Sequence, residues 1–260
     1  MKSPGNRTRY GRRGSLGGAD AGIRRVAPTF GNVLHLTSSG KAGGRIAVNS
    51  DAERLISQMM TIDPSITTFA PQPFTVDLVD KRVLRTPEEV TDARQRHRGR
   101  QARRKFYTPD FSYQRGMQSR FALEVKLEGF EGGPEYDEVL LLAKEILESA
   151  AYQFQCAVVP ADPRHPIRTN VALLKQAASR ADLFPDPGLL DRIAELCAGG
   201  PVVLSDLCEQ SGLSPSMVPV MLICGAVSAS LSTERICGLM LLEAAGGDQS
   251  HLQLIGELIR

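Results

Sequence analysis

The 260-residue chain has no tryptophan, and only 5% of its residues are aromatic. Proteins that grip single-stranded nucleic acid stack successive bases on aromatic rings, so this scarcity favours backbone contact to a duplex over single-strand binding. No apolar run approaches the ~20 residues of a membrane helix, which leaves no membrane among the expected partners. The arginine-rich start is not followed by the apolar core of a signal peptide. The five cysteines (Cys156, Cys197, Cys208, Cys224, Cys237) are never spaced CxxC, which argues against structural zinc and for a reducing, cytoplasmic compartment. The four histidines (His35, His97, His165, His251) form no ligand spacing, so surface or core roles suffice for them. With 42% hydrophobic and 23% charged residues, the chain can bury a real core and is long enough for two domains.

The formal charge of +2 hides a division. Residues 1–126 hold 23 Lys+Arg against 11 Asp+Glu, a net +12, whereas residues 127–260 hold 8 against 18, a net −10. Such asymmetry points to a polyanionic partner for the first half alone.

Residues 1–27 read as a basic flexible arm with little apolar content. Ser50-Asp51-Ala52-Glu53 then opens a helix with Leu55, Ile56, Met59 and Met60 on one face, which Asp63-Pro64 ends. Ile66 to Phe69 and Phe74 to Val79 suit two short strands. Thr86-Pro87-Glu88-Glu89 has the pattern of a capping box with proline in the first turn. The residues that follow, Arg94 to Lys105, carry seven Lys/Arg and predict a basic helix without a core face. Phe106 to Tyr113 and Arg120 to Leu127 read as a β-hairpin around Gly116. In its second strand Phe121, Leu123, Val125 and Leu127 face one way, and Ala122, Glu124 and Lys126 the other. A helix (Tyr136 to Tyr152), a strand (Phe154 to Val159) and a helix (Arg168 to Ala181) complete a mixed α/β sheet. Beyond residue 181, three short helix candidates (189–197, 204–210, 215–224) and a strand-like 227–231 outline a winged-helix or helix-turn-helix module. Residues 241–260 are expected to form an interrupted helical tail.

The chemistry concentrates on the hairpin. Asp110 opens its first strand, and Glu124 and Lys126 lie at i and i+2 on the polar face of the second, so antiparallel pairing brings two carboxylates and an amine together. Carboxylate oxygens suit Mg²⁺, with Mn²⁺ as a substitute. A lysine beside the metal can orient the attacking water and offset charge developing on a phosphate. Pro109-Asp110 with Glu124-Val125-Lys126 matches the PD-(D/E)xK nuclease signature. The competing interpretation is an exposed cross-strand ion pair worth ~0–1 kcal/mol, and spacing alone does not separate the two. Glu53 is likewise either a metal ligand from the neighbouring helix or the capping-box glutamate three residues after Ser50.

A wider series resembles the TnsA endonuclease family of heteromeric bacterial transposases. It comprises Ser38, Lys41, Ser50 with Glu53, Asp63-Pro64, Gln72-Pro73, Tyr107-Thr108-Pro109-Asp110-Phe111 and Glu124-Val125-Lys126, over residues 28–160. The resemblance implies a restriction-endonuclease-like mixed sheet flanked by helices, with a C-terminal winged-helix-like helical domain. It implies a Mg²⁺-dependent DNA endonuclease that hydrolyses phosphodiesters at the 5′ ends of a transposon, beside a TnsB-like integrase and under a TnsC-like ATPase, in a bacterial cytoplasm. Its catalytic positions fall on Glu53, Asp110, Glu124 and Lys126, with Asp110, Glu124 and Glu53 as metal ligands; some members carry Gln where this chain has Glu124. Residues 28–181 would form the endonuclease domain, with an insertion at about 80–105, and residues 182–260 the second domain and tail.

Arg94, Arg96, Arg98, Arg100, Arg103, Arg104 and Lys105 immediately precede the Asp110 strand and are the expected contacts to double-stranded DNA at the transposon ends. Residues 193–234 contain no Lys or Arg but four acids, Glu195, Asp206, Glu209 and Glu234. That module would repel DNA, so it is read as a protein-docking domain for the ATPase. A non-catalytic adaptor that binds DNA and recruits the ATPase is the alternative from another class. A free-standing restriction enzyme or a junction resolvase is a third.

Overall fold

The computed structural model describes residues 34–101 and 104–260; the basic arm and Arg103 lie outside them. The first described elements are a hairpin, β1 (His35–Ser39) and β2 (Gly44–Val48), which turns at Gly43 with φ 73°. Helix α1 (Asp51–Ile62) starts at Ser50, whose Oγ accepts from Glu53 N at 3.1 Å. It stops where Asp63 turns extended (φ −66°, ψ 112°) ahead of Pro64, the conformation that proline imposes on its predecessor. There follow β3 (Ile66–Pro71), β4 (Thr75–Asp77), β5 (Arg82–Leu84), α2 (Pro87–Arg96), β6 (Phe106–Tyr107), β7 (Phe111–Arg115), β8 (Ser119–Leu127), α3 (Pro134–Ser149), β9 (Gln153–Val159) and α4 (Pro166–Ala177). The protein is a mixed α/β structure.

The central sheet has the order β3-β7-β8-β9. Its first three strands are antiparallel, and β9 runs parallel to β8, the geometry a helical crossover such as α3 permits. The alternation along β8 decides what covers each face. Phe111, Phe121 and Leu123 pack with α1 (Leu55, Ile56, Met59) and α4 (Ile167, Val171, Leu174). Ala122 joins Tyr107 and the α3 residues Ala143, Ile146 and Leu147 on the other face. Glu124 and Lys126 continue the Ala122 face, so both faces of the sheet are covered and the charged pair sits where β8 runs out.

The expected long hairpin strand from Phe106 to Tyr113 is two strands. Phe106 and Tyr107 pair with β4 in a small sheet of order β5-β4-β6, while β7 pairs with β3 and β8. Asp110 therefore occupies the bend just before β7. The expected basic helix through Lys105 is also corrected: α2 ends at Arg96, and α2 has a core face, Val90 and Ala93, packed with Leu84 and Phe106. His97 at its C-cap turns inward and is 1% exposed, and Gly99 follows at φ 84°, which few side chains adopt.

The C-terminal part contains α5 (Pro187–Leu196), β10 (Val202–Val203), α6 (Leu204–Ser211), α7 (Val218–Ile223), β11 (Val227–Ser228) and β12 (Leu241–Ala244), with the strands in the order β10-β12-β11. The expected helical tail is replaced by β12 and two short 3₁₀ turns, Ser250–Leu252 and Leu254–Leu258. Leu242 is buried between the exposed Leu241 and Glu243, a period-two pattern, and Gly246 and Gly247 hold positive φ.

The apolar core does not divide at residue 181. One cluster runs from α1 and α4 into Val218, Met221, Leu222 and Ile255. The buried Asn170 side chain ties the two parts with three bonds: it donates to Leu231 O (2.9 Å) and Glu234 O (2.6 Å) and accepts from Ile236 N (3.0 Å). The chain end returns to the sheet, with Ile259 bridging Ala157 and Arg260 N donating to Cys156 O at 3.1 Å. Among the described residues no helix is long and apolar enough to cross a membrane.

Candidate active site

Asp110 is placed by backbone first. Gln72, held at the strained φ of 43° just before Pro73, donates its N–H to Asp110 O at 2.8 Å. The Asp110 carboxylate then accepts from Val125 N through Oδ2, also at 2.8 Å. The residue between the acid and the lysine of the motif thus anchors the third member. Among the described residues Oδ1 has no hydrogen-bond partner.

Glu124 is 4% exposed and surrounded by donors. Its Oε1 accepts from Tyr136 Oη at 2.7 Å and is 2.8 Å from Lys126 Nζ, and its Oε2 accepts from Tyr107 Oη at 2.7 Å. A carboxylate offers about four lone-pair positions, so Oε1 is filled and Oε2 retains one. Lys126 Nζ also lies 3.7 Å from the centre of the Tyr136 ring, within cation–π range.

Glu53 approaches from α1, on the opposite face of the sheet, and is 7% exposed. It closes the start of α1 without forming the expected capping box: Oε2 accepts from Asn49 N and Oε1 from Ser50 Oγ, both at 3.0 Å, and no bond reaches Ser50 N. It also belongs to the site electrostatically. Burial, partly offset by the two cap donors and reinforced by the charge of Glu124, pushes its carboxyl above the usual range. Asp110 is pushed well above that range by burial, then by the charges of Glu124 and Glu53, against the bond from Val125. Both tyrosine hydroxyls are pushed up by burial and by Glu124, so they stay protonated and donate. The pocket concentrates negative charge that a cation would relieve, and its donor set is oxygen, which suits a hard dication.

Among the described residues, the group of metal-ligating side chains whose ligand atoms all lie within 4.8 Å of one another is a different one, Asp77, Asp80 and His97; Glu53, Asp110 and Glu124 are more widely spread. That cluster is close enough to share an ion. A proton on His97 Nε2 fills the same place, since this atom is 3.0 and 2.9 Å from the two Asp77 oxygens and 3.6 Å from Asp80. Arg96 (3.3 Å) and Arg100 (3.8 Å) flank Asp80, supplying positive charge. Asp77 is fully buried, yet the His97 bond and the N–H groups of Asp80 and Val79 outweigh its burial and lower its pKa. His97 is thus a buried anchor of the insertion.

Arg94, Arg96, Arg98, Arg100 and Arg104 are exposed and Lys105 is half-buried, its Nζ donating to His97 O at 2.8 Å. Arg104 stands against the site, with Cζ 4.9 Å from the Tyr136 ring centre. It overlooks an open groove of about 1010 Å³ lined also by Leu78, Gly133, Tyr136, Val139 and Leu142.

Sequence reasoning missed Tyr107 and Tyr136 as site residues. Tyr107 stands in the Tyr-Thr-Pro-Asp-Phe motif, three residues before Asp110, and that was its available signal. Tyr136 had none beyond its place after Gly132-Gly133-Pro134. The site is a carboxylate centre with one lysine, set at the C-terminal end of β8, an inner strand of the mixed sheet. No protein-family profile matches the chain, and no curated protein sequence matches it.

Proposed function

We propose that the protein is a metal-dependent DNA endonuclease subunit of TnsA type, hydrolysing phosphodiesters at the 5′ ends of a transposon. The observation that carries this reading is the meeting of Asp110, Glu124 and Lys126 through Val125 N and the Glu124–Lys126 ion pair. Their framework supports it: a helix bearing Glu53, three antiparallel strands, a crossover helix and a parallel fourth strand, the order expected of a restriction-endonuclease-like core.

Mg²⁺ bound here would supply Lewis-acid polarisation of the phosphate and a more acidic water. Asp110 Oδ1 and Glu124 Oε2 are the open carboxylate positions for it. Lys126 holds its ammonium beside Glu124, where it can orient a water for in-line attack and offset charge on the phosphorane oxygens. Water oxygen bonds to phosphorus, the bond to the 3′-oxygen breaks, and the departing oxygen takes up a proton, leaving 3′-hydroxyl and 5′-phosphate ends. Glu53, with both oxygens held by cap donors, acts by its charge or through a water. The exposed arginines of the insertion contact duplex phosphates. The helix-strand-helix-helix-strand-strand order of the C-terminal part supports a winged-helix reading, and its acidic residues with exposed Leu239 and Leu241 suit a TnsC-like ATPase, with a TnsB-like integrase as the further partner.

A non-catalytic adaptor is favoured by one observation: Glu124 Oε1 is already filled by Lys126 and Tyr136. Calorimetric titration with Mn²⁺ separates the readings. The nuclease reading expects binding that Asp110→Ala abolishes; an adaptor shows no carboxylate-dependent binding.

A further inference from the structure

Tyr136 touches both halves of the acid–lysine pair. Its hydroxyl donates to Glu124 Oε1 at 2.7 Å, and its ring face carries Lys126 Nζ at 3.7 Å from the centroid. The Glu124 carboxylate is otherwise gripped from beneath by Tyr107, which is 2% exposed and cannot move without disturbing the core. Tyr136 instead stands on the first turn of α3, half-exposed at the mouth of the groove, with Arg104 against its ring. Two tyrosines therefore bracket one carboxylate, a fixed one and an outer one, and only the outer one also seats the lysine.

We propose that Tyr136 is the positioning residue of this centre: it fixes the rotation of the Glu124 carboxylate, whose Oε2 would hold a cation, and it seats Lys126 beside that carboxylate. This rests on the nuclease reading and adds a residue that the motif does not contain. The chemistry follows from the contacts. Without the hydroxyl, Oε1 keeps only Lys126, which is itself on a flexible stem, and Tyr107 on Oε2 is the one rigid anchor left, so rotation about the Cγ–Cδ bond is less tightly fixed. Without the ring, the ammonium loses its aromatic seat as well. Partners that orient a metal ligand typically change affinity or activity 10- to 100-fold when removed.

The test uses the full chain with Tyr136→Phe, which keeps the ring, and Tyr136→Leu, which removes ring and hydroxyl. Mn²⁺ affinity is read by electron paramagnetic resonance, and cleavage is read as kcat and KM on transposon-end DNA with the partner subunits. We expect about 10-fold weaker Mn²⁺ binding for Tyr136→Phe and about 100-fold for Tyr136→Leu, with kcat falling in the same order, KM for DNA unchanged, and the melting temperature of Tyr136→Phe lowered by only a few degrees, the loss of one hydrogen bond to a buried carboxylate. Wild-type Mn²⁺ affinity in both variants, or a loss that Tyr136→Phe fully rescues in step with stability, overturns the role. Asp110→Ala measured alongside tells the two failures apart: if it too binds Mn²⁺ like wild type, the metal site itself is wrong, whereas if it alone loses binding, only the assignment to Tyr136 fails.

Discussion

The Asp110 carboxylate accepts from the backbone N–H of Val125 at 2.8 Å, the residue that separates Glu124 from Lys126. One hydrogen bond thereby fixes the loop before β7 against the end of β8. It also leaves a half-buried acid next to two others, and desolvation with the charges of Glu124 and Glu53 holds its pKa well up.

That arrangement costs stability while the site lacks a cation. The folded pKa values of Asp110 and Glu53 are raised, so the folded chain holds these protons more tightly than the unfolded chain. Their contribution is fully present below the ordinary carboxyl range and is lost as pH rises toward the raised values. Asp110→Asn keeps an oxygen for Val125 and removes the charge. It should raise the metal-free melting temperature at neutral pH and flatten the pH dependence, with each 1 kcal/mol appearing as about 2–4 °C in a chain of this size. Mg²⁺ should raise the melting temperature of the wild type and not of the variant. Thermal melts across pH with and without Mg²⁺ check both.

Asn170 makes three bonds to the segment from Leu231 to Ile236. Asn170→Ala leaves two carbonyls and an N–H without partners and should cost about 2–4 kcal/mol. Because the core runs through both parts, calorimetry should record one cooperative transition for wild type and variant alike. Two resolved transitions would mean that the parts fold separately.

His97 and Asp77 form a buried pair beneath the basic insertion. His97→Ala leaves the Asp77 carboxylate with backbone donors alone and should cost about 2–4 kcal/mol. Hydrogen exchange should rise in β5 and α2 while the β8 amides keep their protection. The lowered Asp77 pKa sets the pH sign: its stabilisation is present above the ordinary aspartate range and fades as pH falls through the lowered folded value.

Arg104 faces the site, whereas Arg94 lies on the outer face of α2. If each meets one phosphate, either alanine variant should lower the slope of log K against log salt by about 1. Arg104→Ala should also slow cleavage, and Arg94→Ala should not. Binding isotherms at several salt concentrations, with single-turnover cleavage, separate the two roles.

Much of the central sheet was legible because its signals are local. The β8 alternation, the Thr86 and Ser50 caps and the Asp63-Pro64 stop depend on near neighbours in the chain, and each appears as read. The insertion was not legible, because His97 is buried through Asp77, twenty residues away, and a charge run gives no sign of such a partner. The tail failed for a similar reason: its strand character comes from pairing with β10 and β11. In the site, the nearness of Asp110, Glu124 and Lys126 was legible from spacing, although Asp110 sits in the bend before β7 and not on the strand, and Glu53 both bonds the start of α1 and joins the charge cluster. Tyr136 was not, since a helix-start tyrosine has no sequence mark that distinguishes it from a packing residue.

The most direct measurement is strand cleavage of transposon-end DNA by the full chain with its partner subunits and Mg²⁺, comparing wild type with Asp110→Ala and Lys126→Ala. The account predicts 5′-end cleavage with wild type and its loss in both variants while DNA binding persists. Full 5′-end cleavage by either variant would contradict it.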